Sequence, residues 1–492
     1  MSTARRRLRN AALASLPKSI ARPAYDRSAV APGILHLGIG AFHRAHQAVY
    51  TDEILSADPT WGIVGASLRS EETRNALRPQ DYLYTLATRS GEGERLRVIG
   101  SLKDVIVAEK ERPGLLAATG DPRIRIVSLT VTEKGYCHDP ATGALNEAHP
   151  DIIHDLSAPH EPRSVPGLLV EGIARRRAAG VPPFTVLTRD NLPANGRLVK
   201  RLLERFAALR DADLGKFVAG EVLCPATMVD RITPATTDED REKIADSLGV
   251  VDAWPVLTEP FSQWVVEDRF SAGRPHWDEA GAEFVSDVEP YELMKLRLLN
   301  GAHSSLAYLG YLAGHATVSD VMADKDFDRF VRGLMEEVTP TLDVPPSTDL
   351  AAYKTALIQR FKNPALKHRT WQIAMDGSQK LPQRLLGTIG DCLRLGLPIE
   401  HLALGVAGWM RYVTGVDERG GAIDVRDPLA ARLGRIAEAA GPDAERLASA
   451  LIGVETIFGK DLPAISRFRE AVTRKLGSLL TKGARRSVAE LT

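Results

Sequence analysis

The chain has 492 residues, 44% of them hydrophobic and 26% charged, and its 63 basic residues balance its 63 acidic residues. This length calls for two or more domains, and the composition is that of an ordinary soluble globular protein. The even charge argues against nucleic acid as a partner, and no apolar run approaches the ~20 residues that span a bilayer, so we expect no membrane partner.

In chain order, apolar runs alternate with helical periods from residue 33 to about 290, which is typical of a mostly parallel sheet with helices on both faces. The predicted strands are 33–38, 61–66, 124–130, 183–188, 219–224 and 253–257, and the predicted helices between them are 44–56, 166–179, 196–209 and 239–248. Beyond them, the predicted elements are amphipathic helices at 291–313, 325–337, 349–361, 398–415 and 427–458. We therefore predict an α/β N-terminal domain, residues 1–285, and a mostly α-helical C-terminal domain, residues 286–492.

A glycine-rich turn follows the first predicted strand. Gly38 and Gly40 fit the first two glycines of a dinucleotide fingerprint, which form a tight turn and let pyrophosphate approach a helix N-terminus. The third glycine position holds His43, so the strict pattern fails. We predict a Rossmann-type domain whose turn, Gly38, Gly40, Ala41, Phe42, His43 and Arg44, binds the cofactor, with Arg44 either a phosphate partner or simply solvated.

Acidic residues follow the second predicted strand. Glu71 and Glu72 suit the 2′-hydroxyl of an adenosine ribose and would repel a 2′-phosphate, so the sequence favours NAD over NADP. Arg69 in the same loop suits a 2′-phosphate, and glutamates are also ordinary at a helix start.

A lysine lies in a long apolar helix at the start of the C-terminal domain. At about 100° per residue from Lys295, Glu292 falls near 60°, His303 near 80° and Asn300 near 140°, so the four share one arc. Burial drives a lysine pKa toward neutrality, which suits a proton donor to a carbonyl oxygen. The competing interpretation is a Lys295–Glu292 ion pair beside a core histidine.

Five blocks of sequence occur in an order that resembles one known family, the polyol-specific long-chain dehydrogenases or mannitol dehydrogenase family. The blocks are GIGAFHRAHQ at 38–47, NLPANG at 191–196, MVDRITP at 228–234, EPFSQWVVED at 259–268 and the Lys295/Asn300/His303 helix. The resemblance covers residues 30–480, and it implies that Asp230 packs near the nicotinamide of the cofactor. It supports Lys295 as the general acid/base, with Asn191 and Asn300 donating to the reacting oxygen, His303 orienting a substrate hydroxyl and Glu292 relaying protons or tuning the lysine.

Further details are similar to the hexuronate branch of this family, that of fructuronate reductase or D-mannonate oxidoreductase. Lys134 stands where mannitol-type members usually carry glycine, and Gln372 stands where they place an arginine. Lys134 and Lys380 are the first choices for binding a substrate carboxylate, Arg369 is next, and Arg384 is interpreted as a solvated helix residue. Lys134, Arg369, Gln372 and Lys380 are therefore the predicted substrate contacts.

The predicted function is an NAD-dependent oxidoreductase that interconverts D-fructuronate and D-mannonate. Two alternatives stay open: a mannitol or arabinitol 2-dehydrogenase, and a non-catalytic NAD-binding regulator. The three cysteines, Cys137, Cys224 and Cys392, form no CxxC pair, which indicates a reducing, cytoplasmic location and no metal site. The expected partner is a small sugar acid or polyol; the oligomeric state is open, and a monomer is compatible with the sequence.

Overall fold

The computed structural model describes residues 6–139, 142–345 and 348–491. The chain forms two compact units, Met1–Glu289 and Pro290–Thr492. The domain boundary predicted at 285/286 lies a few residues before this division. No helix within the described residues is both long enough and apolar enough to cross a membrane.

The first unit is built on a five-stranded parallel sheet of order β5-β2-β1-β6-β7. The strands of this unit are β1 Pro32–Leu37, β2 Gly62–Ser67, β3 Tyr84–Ser90, β4 Gly93–Ile99, β5 Leu102–Val107, β6 Ile126–Leu129, β7 Thr185–Thr188, β8 Thr227–Asp230, β9 Val256–Thr258, β10 Gln263–Glu267 and β11 Glu283–Val285. The chain runs outward from β1 through β2 to β5 and then returns to the other side of β1 at β6. Between β1 and β6 the strand order reverses, and open α/β sheets bind their ligands at the carboxyl edge of such a switch point.

Helices cover both faces of this sheet, because its central strands are buried on both sides. Leu35, Leu37 and Val127 point to one core, while Ile34 and Ile126 point to the other. The helices of the unit are α1 Ala41–Ala45, α2 Gln47–Ile54, α3 Glu72–Leu77, α4 Arg112–Gly120, α5 Thr132–Gly135, α6 Pro150–Ser157, α7 Val165–Ala178, α8 Asn195–Arg210, α9 Ala212–Glu221 and α10 Asp238–Leu248, with short 3-10 turns at Asn10–Ser15, Pro59–Trp61 and Arg78–Gln80. The predicted α/β fold class is confirmed.

Two smaller three-stranded sheets flank the parallel sheet. One has the order β11-β10-β8 and the other the order β4-β3-β9. The strand predicted at 219–224 is wrong, because α9 occupies Ala212–Glu221. Asp211 caps that helix by accepting a hydrogen bond from the Leu214 amide at 2.6 Å, so a local cap outweighs the β-propensity of the apolar run that follows.

The second unit is helical throughout its described residues. Its helices are α11 Glu289–Met294, α12 Ala302–Leu312, α13 Val318–Ala323, α14 Lys325–Val338, α15 Leu350–Phe361, α16 Thr370–Ala374, α17 Gly377–Leu381, α18 Gly387–Arg394, α19 Glu400–Tyr412, α20 Ala430–Ala440, α21 Ala444–Ile452, α22 Glu455–Phe458, α23 Asp461–Ala464, α24 Ser466–Lys482 and α25 Ala484–Ala489. Short 3-10 turns lie at Thr339–Thr341 and Pro364–Leu366, and π-helical segments at Lys295–Gly301 and Pro382–Leu386. The predicted helix 291–313 is therefore α-helical at both ends and π-helical between.

The buried helix α12 is fixed by close contact with α19. A Cβ atom on Gly405 would lie 2.4 Å from the Oγ of Ser305, and one on Gly408 would lie 2.9 Å from a methyl carbon of Leu309. The two glycines thus let the backbones approach more closely than larger residues permit. This contact sets the position of the helix that carries His303.

Candidate functional site

The glycine turn after β1 lies at the switch point of the parallel sheet. Gly38 has φ +94°, and a Cβ atom there would lie 2.0 Å from the carbonyl oxygen of Thr130, directly after β6. At Gly40, among the described residues other than its two chain neighbours, the nearest atom to an added Cβ is the Gly38 oxygen, at 3.8 Å. Gly38 is therefore required for packing, whereas the side of Gly40 is open. An open backbone at the start of α1 fits the pyrophosphate of a dinucleotide.

Ala41 and Phe42 are partly exposed in this turn, whereas the next two side chains are buried. The His43 ring stacks on His36 with centroids 3.5 Å apart, and both of its ring nitrogens are buried with no hydrogen-bond partner among the described residues. Arg44 is 4% exposed and donates to the Trp254 carbonyl at 2.5 Å, and burial lowers its pKa to about 10. Both side chains lie in the interior of the unit, so what they offer a dinucleotide is the backbone of the turn.

The acidic loop after β2 neighbours the glycine turn through the sheet. The Gly38 amide donates to the Ala66 carbonyl in β2 at 2.9 Å, and Glu71 and Glu72 follow that strand. Glu71 forms ion pairs with Lys110 and Arg74, and the hydrogen bond from Lys110 is the main reason why its pKa is lowered. Glu72 and Arg69 are exposed. The loop thus presents the ion-paired carboxylate of Glu71 and the exposed side chains of Glu72 and Arg69 near the predicted ribose position.

The loops that follow β6 and β7 are tied together by Asp190. Its carboxylate accepts from the amides of Val131 at 3.0 Å and Thr132 at 3.1 Å, and from the Tyr136 hydroxyl at 2.6 Å. Thr132 has φ +64°, a strained conformation for a β-branched residue, and such strain clusters at ligand sites. Lys134 and Asn191, the two residues predicted from these loops, are both exposed.

Asp230 ends β8 and is 4% exposed. The same strand is held to the start of α8, because the Asn195 side chain donates to the Thr227 carbonyl at 2.9 Å and accepts from the Thr227 backbone amide at 3.0 Å. These bonds set the position of Asp230 relative to Asn191 within the first unit.

Arg189 is a buried cation that the sequence did not reveal. It is 1% exposed, hydrogen-bonds the His46 ring, and lies with its guanidinium carbon 5.5 Å from the ring centre of Phe42 and 4.8 Å from that of Trp264. Burial lowers its pKa to about 9. Arg189 directly follows β7 and lies two residues before Asn191. Its contacts with Phe42 and His46 therefore link the end of β7 to the glycine turn. The only sequence signal is an arginine at the end of an apolar strand.

In the second unit, Lys295 begins the first π-helical segment. It is 7% exposed, Asn300 and Glu292 are partly exposed, and His303 is buried in α12. A π-helix closes its turns with i→i+5 hydrogen bonds, so residues five apart lie about one turn apart. This spacing brings Lys295 and Asn300 toward the same side of the helix, where an α-helix would separate them. Arg297, in the same segment, donates to the Thr341 carbonyl at 2.8 Å and pairs with Asp391.

His303 lies in a positively charged neighbourhood. Its ring stacks on Phe361 at 5.3 Å and meets the His368 ring edge-on at 4.8 Å between centroids. Burial lowers the pKa of His303 well below 6.5, and the nearby charges of His368, Arg384, Arg360 and Lys380 lower it further. Burial likewise lowers the pKa of His368 to about 4. His303 is therefore neutral at physiological pH and can donate or accept one hydrogen bond at each nitrogen.

The predicted substrate contacts of the second unit are in different environments. Arg369 and Gln372 are exposed. Lys380 is partly buried, donates to the carbonyls of Ile373 at 3.3 Å and Met375 at 2.5 Å, and lies near both histidines. Arg384, interpreted from the sequence as solvated, is half-buried and donates to the Ser304 hydroxyl at 3.0 Å.

No group of three or more His, Cys, Asp or Glu side chains among the described residues is arranged to hold a metal ion. Cys137 and Cys392 are buried, and burial raises the pKa of each thiol to about 11.

Comparisons with known proteins match nearly the whole chain. The family model described as the mannitol dehydrogenase Rossmann domain matches residues 32–279, and that described as the mannitol dehydrogenase C-terminal domain matches residues 287–480. The D-mannonate oxidoreductase of Escherichia coli is 49% identical over 96% of this chain and 98% of its own length. A mannitol 2-dehydrogenase of Aspergillus fumigatus is 41% identical over 94% of this chain and 93% of its own length.

Among solved structures, the mannitol 2-dehydrogenase of Pseudomonas fluorescens, in ternary complex with NAD and D-mannitol, superposes with a TM-score of 0.90. It is 41% identical, and the match covers 99% of each chain.

Proposed function

The chain belongs to the mannitol dehydrogenase family, an oxidoreductase family, and we propose that it is an NAD-dependent enzyme that interconverts D-fructuronate and D-mannonate. The observation that carries the choice of a sugar acid is the positive charge around His303, supplied by Arg360, Lys380 and Arg384. A carboxylate is attracted to those cations by its charge, whereas a neutral polyol offers them hydrogen bonds only. The relative at 49% identity is a D-mannonate oxidoreductase, which supports the same choice.

We assign NAD to the first unit. The turn from Gly38 to Phe42, with its open side at Gly40, would hold the pyrophosphate, and the backbone at His43 and Arg44 completes that turn. Glu71 and Glu72 would receive the ribose 2′-hydroxyl, and Asp230 would pack near the nicotinamide. When bound, NAD would supply the hydride acceptor for oxidation of the substrate, and NADH would supply the hydride donor for its reduction.

The chain's own residues handle the proton and the oxygen. Lys295 takes the proton from the hydroxyl of mannonate and gives it back when the keto acid is reduced. Asn191 and Asn300 donate hydrogen bonds to the oxygen as negative charge develops there. Neutral His303 orients a neighbouring hydroxyl, and Glu292 passes the proton from Lys295 to water.

We propose that Lys134, Lys380 and Arg369 bind the carboxylate end of the substrate. Gln372, where mannitol-type members place an arginine, contacts its hydroxyls. The second candidate is a mannitol or arabinitol 2-dehydrogenase, which the relatives at 41% identity favour. A regulator without turnover has no use for the Lys295 and Asn300 pair, so it ranks last.

One panel of steady-state assays tests the proposal. Mannonate, fructuronate, mannitol, arabinitol and fructose are each offered with NAD(H) and NADP(H), and the absorbance of the reduced cofactor is followed. We expect kcat/KM for fructuronate with NADH to exceed that for fructose by about 10⁴, because sites built for a charged group reject analogues that leave it unpaired. Equal rates with fructose would replace this function by the polyol alternative, and binding of NAD without any turnover would point to a regulator.

The proposed chemistry uses lysine and needs no metal. We therefore expect incubation with EDTA followed by gel filtration to leave kcat unchanged. Loss of activity that Zn²⁺ restores, and Mg²⁺ does not, would contradict the lysine mechanism.

A further inference from the structure

The second π-helical segment, Pro382–Leu386, is packed against the first, Lys295–Gly301. The absence of a side chain at Gly301 allows this contact, since a Cβ atom there would lie 2.9 Å from the carbonyl oxygen of Arg384. Gly301 directly follows Asn300, so the backbone of Arg384 lies against the turn that carries the predicted catalytic residues Lys295 and Asn300. π-helical turns are rare and occur frequently at functional sites.

The side chain of Arg384 is directed toward the next turn of the same helix. One terminal nitrogen donates to the Ser304 hydroxyl at 3.0 Å, and Ser304 directly follows His303. Ser304 is 2% exposed, so a buried hydroxyl at a fixed position holds the arginine. A guanidinium has five N–H donors in one plane, and the contact with Ser304 uses one of them.

We propose that Arg384 is a specificity-determining residue: its guanidinium, held beside His303 by Ser304, pairs with the carboxylate of the sugar-acid substrate. This assignment rests on the proposed function and deepens it. An arginine matches a carboxylate with two parallel hydrogen bonds, which a lysine does not. Ser304 acts as a positioning residue that fixes the plane of the Arg384 guanidinium group. Lys380, whose ammonium donates to two backbone carbonyls, adds positive charge from the side.

The test compares a sugar acid with a neutral polyol in three variants. Arg384→Met should lower kcat/KM for mannonate by about 10- to 100-fold and that for mannitol by less than about threefold, since it removes charge-assisted hydrogen bonds that only the acid makes. Ser304→Ala should lower the ratio of kcat/KM for mannonate to kcat/KM for mannitol by a smaller factor than Arg384→Met does. The matched control is Arg394→Met, which removes an exposed arginine of α18 that pairs with Asp391, and it should leave the ratio unchanged. An equal loss on both substrates, or no loss, would overturn the assignment.

A binding measurement separates this inference from the proposed function. Calorimetry gives the dissociation constant of D-mannonate for each variant in the presence of NADH, with which mannonate cannot react. If the wild-type protein binds mannonate but does not oxidise it, the proposed function fails, and a tenfold or greater loss of affinity in Arg384→Met (about 1.4 kcal/mol) still supports the assignment. If the wild type does not bind mannonate, both fail. If Arg384→Met shows no thermal unfolding transition, Arg384→Lys takes its place. A loss of kcat/KM for mannonate but not for mannitol in Arg384→Lys supports the two-bond contact of the guanidinium, and a wild-type ratio of the two values overturns it.

Discussion

Lys295 lies at the first residue of a π-helical turn, 7% exposed, with Asn300 one turn away. We predict that Lys295→Ala lowers kcat by about 10²–10⁴ while the dissociation constant of NADH stays within about twofold, since the role proposed for the lysine concerns the substrate proton only. Stopped-flow turnover and fluorescence titration with NADH measure the two quantities. Lys460→Ala, which removes an exposed lysine of the same unit, is the control. Wild-type kcat in Lys295→Ala would remove the lysine from the mechanism.

The candidate site residues that the sequence pointed to are those whose chemistry conflicts with their local surroundings. Lys295 and His303 stand out because burying a polar side chain in an apolar helix costs free energy. Arg189 and Arg384 do not stand out, because an arginine after a strand or on a helix is ordinary. They became candidates through contacts with His46 and Ser304, which are distant in sequence and appear only in the folded chain.

At the scale of elements, the glycine turn offers a matched pair of substitutions. In Gly40→Ala the nearest contact of the new methyl group within the described parts of the chain is 3.8 Å, so we predict a change in the free energy of unfolding below about 1 kcal/mol. Its methyl group occupies the open side of the turn, where the proposed pyrophosphate binds. The affinity for NADH should therefore fall by roughly tenfold or more through lost charge-assisted hydrogen bonds.

Gly38→Ala is the comparison, because it combines φ +94° with a Cβ atom 2.0 Å from the Thr130 oxygen. It should lose at least about 2 kcal/mol of stability through strain and overlap. Chemical denaturation and NADH titration of both variants measure the outcome. A Gly40→Ala protein that binds NADH like the wild type would place the pyrophosphate elsewhere.

The contact between the two π-helical segments offers a second matched pair of substitutions, Gly301→Ala and Gly387→Ala. In Gly301→Ala the new methyl group lies 2.9 Å from the Arg384 oxygen, so a backbone must shift, whereas in Gly387→Ala it lies 3.5 Å from the Pro382 oxygen, an ordinary contact. We predict that Gly301→Ala lowers kcat/KM by roughly 10- to 100-fold, since a displacement of about 1 Å in a site costs that much. Its stability should change by only about 1 kcal/mol, because the gain in helix propensity offsets the overlap. Equal kinetics in the two variants would show that this contact does not position the site.

Elements were predictable where the pattern is long and regular. The strands β1, β2, β6 and β7 and the helices α7, α8 and α10 lie within a few residues of their predicted places, because their apolar periods are clear. The strands β3 and β4 were missed, since they form a partly exposed hairpin with charged residues. The helical wheel at 100° per residue does not apply across Lys295–Gly301, because periodicity does not reveal where hydrogen bonding changes to i→i+5.

At the scale of the whole molecule, buried histidines couple stability to pH. His36, His43 and His303 have pKa values well below 6.5, first of all because burial disfavours the charged ring, and burial lowers the pKa of His368 to about 4. The unfolded chain binds these protons near pH 6.5 and the folded chain does not. Below pH 6.5 the unfolded state therefore holds more protons, and the free energy of unfolding falls as the pH falls.

We predict that each buried histidine costs up to about 1.4 kcal/mol of stability for each pH unit below about 6.5, with the contribution of His368 continuing to fall until about pH 4. His43→Phe isolates one of them, because phenylalanine keeps an aromatic ring on His36 and replaces two ring nitrogens that have no partner. Denaturation midpoints at about pH 7.5 and about pH 5.5 should therefore differ less in His43→Phe than in the wild type. His276→Gln, at an exposed histidine of the same unit, should keep the wild-type difference between the two denaturation midpoints. If His43→Phe also keeps it, His43 takes up its proton within the folded chain, and the buried stack must open in mild acid.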